Sequence, residues 1–169
     1  HIYPIDDWKL VEKKYDSNFL AQNETMFSIG NGYMGMRGNF EEGSPYFQNG
    51  TFINGFHETW PIVYGEEAFG FAKTGQTMLN LPDAKIIKLC VDDEPFYIPT
   101  SSLIEYERNL NMKSGTLDRE LIWDMPSGKK VSIKSKRMVS FKQRHIAAIS
   151  YEVTVLNAEA PVIISSQLL

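Results

Sequence analysis

An all-β fold, an antiparallel sandwich or barrel, is what this sequence predicts, and three observations carry it. From the middle of the chain onward apolar residues recur with period two, which sends alternate side chains to opposite faces of a strand. Turn-forming residues punctuate these runs about every ten positions, the spacing of short antiparallel strands. Runs with helical period are scarce.

Taken in order, Asp6 to Tyr15 fits either a strand or an amphipathic helix, with strand favoured, and Asn18 to Asn23 fits one helical turn. Strands are expected at Ala84 to Val91, from Tyr97 onward, at Ser102 to Leu110, Glu120 to Trp123, Val131 to Phe141, Ala147 to Val155 and Val162 to Ser166. Val131, Ile133, Val139 and Phe141 share one face, with Lys134, Lys136 and Lys142 on the other. Ala147, Ile149, Tyr151, Val153 and Val155 repeat the scheme, with Gln143-Arg144 as the connection. Asp92-Asp93-Glu94-Pro95, Met125-Pro126-Ser127-Gly128 and Asn157-Ala158-Glu159-Ala160-Pro161 supply turns from residues that preset φ or bond their own backbone. The chain ends on an apolar strand-like run, Ile163 to Leu169, which reads as a domain cut before its last strands.

The densest signal lies earlier, where Gly30, Gly32, Gly35 and Gly38 fall within Ser28 to Asn39. Glycine at this density marks fixed bends or close backbone approach. Gly30, Gly32 and Gly35 match the G-x-G-x-x-G dinucleotide fingerprint, but that motif needs a strand before it and a helix after it. Here Gly38, Gly43 and Pro45 follow, which break a helix, so the nucleotide reading is set aside.

Glu24-Thr25-Met26-Phe27-Ser28-Ile29-Gly30-Asn31-Gly32-Tyr33-Met34-Gly35 with Arg37-Gly38, followed by Gly50-Thr51-Phe52-Ile53-Asn54-Gly55-Phe56, resembles the opening blocks of the N-terminal domain of glycoside hydrolase family 65. That family comprises inverting disaccharide phosphorylases acting on maltose, kojibiose, nigerose or trehalose, and related acid trehalases. The resemblance implies a large antiparallel β-sandwich spanning residues 1–169, truncated at its C-terminal end. It also implies a parent enzyme whose catalytic (α/α)6 barrel, with a glutamate as general acid, lies outside this chain. The implied reaction converts an α-glucosyl disaccharide and phosphate to β-glucose 1-phosphate and glucose, with inorganic phosphate as co-substrate and no organic cofactor. The implied partners are the parent's own catalytic domain, the disaccharide through that enzyme, and a second copy in a homodimer. Hydrolysis, as in the acid trehalases, and a freestanding carbohydrate-binding sandwich are the alternatives.

Composition narrows the classes independently. With 169 residues, 43% of them hydrophobic, one sizeable core is affordable in a single domain. A formal net charge of -4 argues against nucleic acid or an anionic membrane surface as partner. The basic stretch Lys129, Lys130, Lys134, Lys136, Arg137 alternates with apolar residues and reads as a solvated strand face. Cys90 is the one cysteine, and the histidines His1, His57 and His145 are scattered, so neither an internal disulfide nor a metal site is expected. Without a signal peptide or a spanning apolar run, the chain reads as soluble and cytoplasmic. The sequons Asn23-Glu24-Thr25 and Asn49-Gly50-Thr51 read as chance matches.

Inverting glycoside chemistry needs a general acid and, on the opposite face of the sugar, an activated nucleophile. The carboxylate clusters Glu41/Glu42, Glu66/Glu67 and Asp92/Asp93/Glu94 are adjacent in sequence, point apart on extended backbone, and read as solvated loops. No catalytic residue is therefore expected within the chain. Residues Asn54 to Phe71 mix aromatic and polar side chains, as a sugar-contacting loop or a domain interface would. Asn54, Glu58, Trp60 and Tyr64 in that segment, with Arg37 and Asn39 after the glycines, are the candidates for a substrate rim or domain interface. Packing is the favoured role for the aromatics, and fixing the bends for Arg37 and Asn39.

Overall fold

The structure, a computed structural model, describes residues 3–169, so His1 lies outside the described residues. The chain opens with β1 (Lys9–Glu12), a 3-10 turn (Ser17–Phe19) and helix α1 (Leu20–Met26). Short strands follow at β2 (Ile29–Gly30), β3 (Met34–Met36) and β4 (Thr51–Ile53), then β5 (His57–Pro61) and β6 (Thr74–Met78). The second half holds β7 (Ile86–Val91), β8 (Glu94–Pro95), β9 (Ser102–Asn111), β10 (Thr116–Asp124), β11 (Lys130–Val139), β12 (Ala147–Val155) and β13 (Val162–Gln167).

All strand pairs are antiparallel. One sheet runs in the order β1-β9-β10-β11-β12, and a second in the order β13-β7-β8, with smaller sheets β2-β3-β4 and β5-β6. The two large sheets enclose the core of an antiparallel sandwich, as expected. Leu89, Val91, Phe96 and Ile98 from the β7–β8 side meet Leu121, Trp123, Val131 and Ile133 from β10 and β11. Phe96 and Trp123 lie with ring centroids 5.2 Å apart.

Register explains how the five-stranded sheet divides its inner face. Leu103, Trp123, Val131 and Val155 align across it, as do Tyr106, Leu121, Ile133 and Val153. The next row is Arg108, Arg119, Ser135 and Tyr151, followed by Leu110, Leu117, Arg137 and Ile149. One end of the inner face is thus apolar and packs on the second sheet, while the other carries three arginines. That polar end is where the candidate site begins.

Several local expectations are corrected. Tyr97 starts a turn instead of a strand, since Thr100 and Ser101 both donate their N–H to its carbonyl. Phe141 lies past the end of β11 and is exposed, because the chain turns away at Ser140 before reaching it. Asp92 and Asp93 form the expected β7–β8 turn at φ of 50° and 63°, a region Asp tolerates better than most residues. Gly30 faces Gly35 across the β2–β3 ladder, so the fingerprint glycines belong to a strand pair with no helix to receive a pyrophosphate.

Candidate functional site

The largest departure from the sequence reading is Glu41 and Glu42, which are buried with the arginines of the sheet instead of solvated. Arg119 donates both terminal nitrogens to Glu42, at 2.7 and 2.6 Å, and lies 3.2 Å from Glu41. Such bidentate geometry is the strong form of an ion pair. Arg137 donates to Glu41 at 2.7 Å and to the carbonyls of Arg37 and Asn39 at 3.2 and 2.9 Å. Arg137 is therefore not on the solvated strand face that the basic stretch predicted; its side chain has no exposure at all. Arg108 lies between the rings of Phe27 and Phe40, 4.4 and 4.8 Å from their centroids, while it donates to the Gly38 carbonyl and pairs with Glu12 at 3.2 Å.

Electrostatics fix the charge states of this cluster. Burial alone would raise the Glu41 carboxyl, but the Arg137 and Arg119 guanidiniums outweigh it and hold the group at about 2. A carboxylate held there donates no proton near neutral pH, so Glu41 cannot serve as a general acid. Burial, reinforced by the adjacent Glu42, pushes the Tyr151 phenol up, and it remains a protonated donor to Glu42 at 3.0 Å. Burial also lowers the Lys85 ammonium, opposed by Asp83 at 2.7 Å; Lys85 donates further to Thr51 Oγ1 and the Gly50 carbonyl.

These contacts clamp the segment that follows β3. Glu24, buried in α1, accepts the N–H of Phe47 at 2.8 Å and of Gln48 at 3.0 Å. Gly38 passes so close to Phe27 that a Cβ there would lie 2.7 Å from the Phe27 Cβ. The loop from Arg37 to Thr51 is thereby fixed at both ends and along its length. Asn23, in α1, is buried and donates to Glu12, which makes its sequon an unsuitable surface acceptor.

Arg37 and Asn39 fall inside this clamp. Arg37 donates to the Gln48 carbonyl at 3.2 Å and to Thr25 Oγ1 at 3.0 Å, and Asn39, buried, donates to the same Gln48 carbonyl at 3.0 Å. Glu58, Trp60 and Tyr64 lie elsewhere, on an arm formed by the β5–β6 hairpin and its tip. Asn54 stands at the root of this arm, its N–H bonded to the Tyr33 carbonyl at 2.7 Å. The structure therefore separates the six candidates into a pair held in the loop after β3, Asn39 buried and Arg37 half-buried, and an exposed quartet.

Every residue of β5 is exposed. Trp60 covers Gly75 on the facing strand, where a Cβ would lie 2.5 Å from the indole, and Tyr64 and Phe71 rings sit 4.8 Å apart at the tip. His57 bonds Gln76 across the pair, and His145 stacks edge-on against Tyr33. A groove of about 980 Å³ lies on the outer face of the five-stranded sheet, lined by ion-paired Lys13, Glu107, Asp118, Glu120, Lys134 and Lys136 among others. A second cavity of about 360 Å³ lies near Trp123 and Pro126. Neither is lined by the arm. Among the described residues no group of three His, Cys, Asp or Glu is placed to hold a metal, and no helix is long and apolar enough to cross a membrane.

Arg108, Arg119, Arg137, Glu12, Glu24, Glu41, Glu42 and Lys85 are the residues that sequence reasoning missed. The signal was available in strand parity. Arg119 shares the parity of Leu117, Leu121 and Trp123, and Arg137 that of Val131, Ile133 and Val139.

Comparison with known proteins agrees with this architecture. The model of the glycosyl hydrolase family 65 N-terminal domain matches residues 10–169. An alpha,alpha-trehalose phosphorylase of Thermoanaerobacter brockii is 48% identical over 160 residues, covering 92% of this chain and 21% of that protein. A kojibiose phosphorylase of Halothermothrix orenii is 32% identical over 162 residues, covering 95% of this chain and 19% of that protein. A solved structure from the human microbiome, named for kojibiose phosphorylase, shares the fold at a TM-score of 0.74 and 24% identity, over 88% of this chain and 20% of its own. The chain spans about a fifth of the length of the curated relatives it matches. By this match and the sandwich described above, the chain belongs to glycosyl hydrolase family 65, as its N-terminal domain.

Proposed function

We propose that this chain is the non-catalytic N-terminal sandwich of an inverting disaccharide phosphorylase, which cleaves an α-glucosyl disaccharide with inorganic phosphate to β-glucose 1-phosphate and glucose. The observation that carries the reading is the 48% identity to a trehalose phosphorylase over nearly the whole chain. The geometry is consistent with a scaffold, because the buried carboxylates Glu41 and Glu42 are engaged by arginines instead of facing a substrate-sized cleft. Chemistry then belongs to the remainder of the polypeptide, with phosphate as co-substrate and no organic cofactor. Arg37 and Asn39 shape the loop after β3, and Asn54, Glu58, Trp60 and Tyr64 belong to a surface facing another part of the enzyme.

Self-association is part of the same reading. β12 and β13 are edge strands, and Ile163 and Ile164 on β13 are exposed, which supports pairing between copies. A strictly monomeric light-scattering mass at high concentration counts against it. The activity is tested by incubating the full-length polypeptide with trehalose, kojibiose, maltose and nigerose in phosphate, and following the glucose 1-phosphate anomer by proton NMR. The β anomer from the full-length polypeptide, with none from residues 1–169 alone, is the expected outcome; the α anomer contradicts inversion, and product from residues 1–169 contradicts the scaffold role.

A further inference from the structure

Three Asn-Gly pairs occur in the chain, Asn31-Gly32, Asn49-Gly50 and Asn54-Gly55. Asparagine is a thermolabile residue, and a following glycine has no Cβ to keep its backbone nitrogen away from the side-chain amide carbon. Whether the two groups meet depends on how firmly the fold restrains them. Asn31 is pinned: its Nδ2 donates to the carbonyls of Ser140 at 2.7 Å and Arg144 at 3.1 Å, and its Oδ1 accepts the N–H groups of Tyr33 at 3.0 Å and Met34 at 2.8 Å. Moving its Cγ onto the Gly32 nitrogen breaks that set of bonds. Asn49, half-buried, is packed: Asn80 donates to its carbonyl at 2.9 Å and accepts the Thr51 N–H at 3.0 Å, while a Cβ on Gly50 would lie 2.4 Å from Arg37 Cδ. Asn54 has no such restraint. It is exposed, and among the described residues no hydrogen bond holds its side-chain amide. Ile53 to Phe56 form a turn closed by the Phe56 N–H on the Ile53 carbonyl at 3.2 Å, with Gly55 at φ of 96° in the position where a type II turn calls for glycine. The Gly55 N–H has no backbone acceptor among the described residues, and nothing lies within 4 Å of where its Cβ would stand.

We infer that Asn54 is a modification site, the Asn-Gly pair that this fold leaves open to spontaneous deamidation. The Gly55 backbone nitrogen attacks the Asn54 Cγ, forming an N–Cγ bond that closes a succinimide ring, while the Cγ–Nδ2 bond breaks and the side-chain nitrogen leaves as ammonia with the proton from Gly55. Water, the one co-reactant, then opens the ring. Addition at the Cγ carbonyl restores the normal backbone with an aspartate, whereas addition at the backbone carbonyl leaves the chain running through the side chain as an isoaspartyl residue. No oxidant or reductant enters. Both products place a carboxylate at the root of the β5–β6 arm, and the isoaspartyl product lengthens the backbone by one atom between the Asn54 N–H bond to Tyr33 and the Phe56 N–H bond to Ile53. All the reacting protein groups belong to the turn itself. A neighbouring part of the polypeptide that faces this surface therefore leaves the chemistry open as long as the turn flexes.

Ageing the wild-type full-length polypeptide at neutral and at mildly alkaline pH, in native buffer and in urea, tests this without any substitution. Peptide mass spectrometry follows amide-to-acid conversion at Asn31, Asn49 and Asn54, and electron-transfer fragmentation separates aspartyl from isoaspartyl product. The expected result in native buffer is conversion at Asn54 at least about tenfold faster than at Asn31 or Asn49, accelerating with pH and yielding isoaspartate, while in urea the three rates converge to within about threefold. A native ratio below about tenfold overturns the inference. Aspartyl product alone overturns the succinimide route, and a preference for Asn54 that exceeds about threefold in urea assigns the effect to neighbouring sequence instead of the fold and overturns it as well.

Discussion

Replacing Glu41 by Gln tests the buried charge clamp, because the amide keeps the shape of the side chain and removes its charge. In the wild type that charge faces Arg137 at 2.7 Å and Arg119 at 3.2 Å, both guanidiniums out of reach of water. Breaking a buried pair from one side costs about 3–5 kcal/mol, since the remaining cations lose their compensation. Linkage gives a second route to the magnitude. The carboxyl titrates at 4.5 when unperturbed and at about 2 in the fold, a difference that corresponds to about 3 kcal/mol. Because the folded value is depressed, this stability is fully present above the unfolded value and is lost as pH falls through the folded one. The assay is urea unfolding of wild type and Glu41→Gln at a series of pH values from neutral to about 2, read by fluorescence of buried Trp123. The expected gap is about 3–5 kcal/mol at neutral pH, shrinking toward about 1 kcal/mol or less at the acid end. A gap that is already under about 1 kcal/mol at neutral pH, or one that does not change with pH, refutes the assignment of that stability to the ionised Glu41.

Four further substitutions separate the core, the clamp and the arm. Trp123→Ala is expected to cost about 3–5 kcal/mol in urea unfolding, whereas Val63→Ala at the exposed arm tip stays within about 0.5 kcal/mol. Equal costs contradict the placement of the core. Gly38→Ala drives a Cβ against Phe27 and is expected to cost about 1–3 kcal/mol, with a neutral result contradicting the close packing of the loop on α1. Gly75→Ala displaces the Trp60 indole, so acrylamide quenching of tryptophan fluorescence increases while the urea midpoint moves little. Unchanged quenching contradicts the seat of Trp60 on Gly75.

Period-two patterning made the long strands legible, because β10 and β11 are each buried on one face, β12 is half-buried on one, and their apolar residues mark it. It failed at Tyr97 and Phe141, where an aromatic residue sits beyond a strand's end and hydrophobicity alone does not report the turn of the backbone. The clamp was illegible for a different reason. Charged residues are solvated by default, and Glu41-Glu42 followed by a glycine and a proline looks like a surface loop. Their arginine partners lie 77 and 96 positions away, a separation that local spacing cannot relate. The inward parity of Arg119 and Arg137 was the clue, since a cation on an apolar strand face requires a buried anion. The arm was found by its composition, but its exposure depends on what the sandwich leaves uncovered, which only the packing reveals.

Sugar release by the full-length polypeptide, with and without inorganic phosphate, tests the central claim most directly. With trehalose or kojibiose as substrate, the account predicts glucose 1-phosphate and glucose in equal amounts when phosphate is present, and neither when it is withheld. Glucose release that proceeds equally well without phosphate contradicts a phosphorylase and assigns the enzyme to hydrolysis.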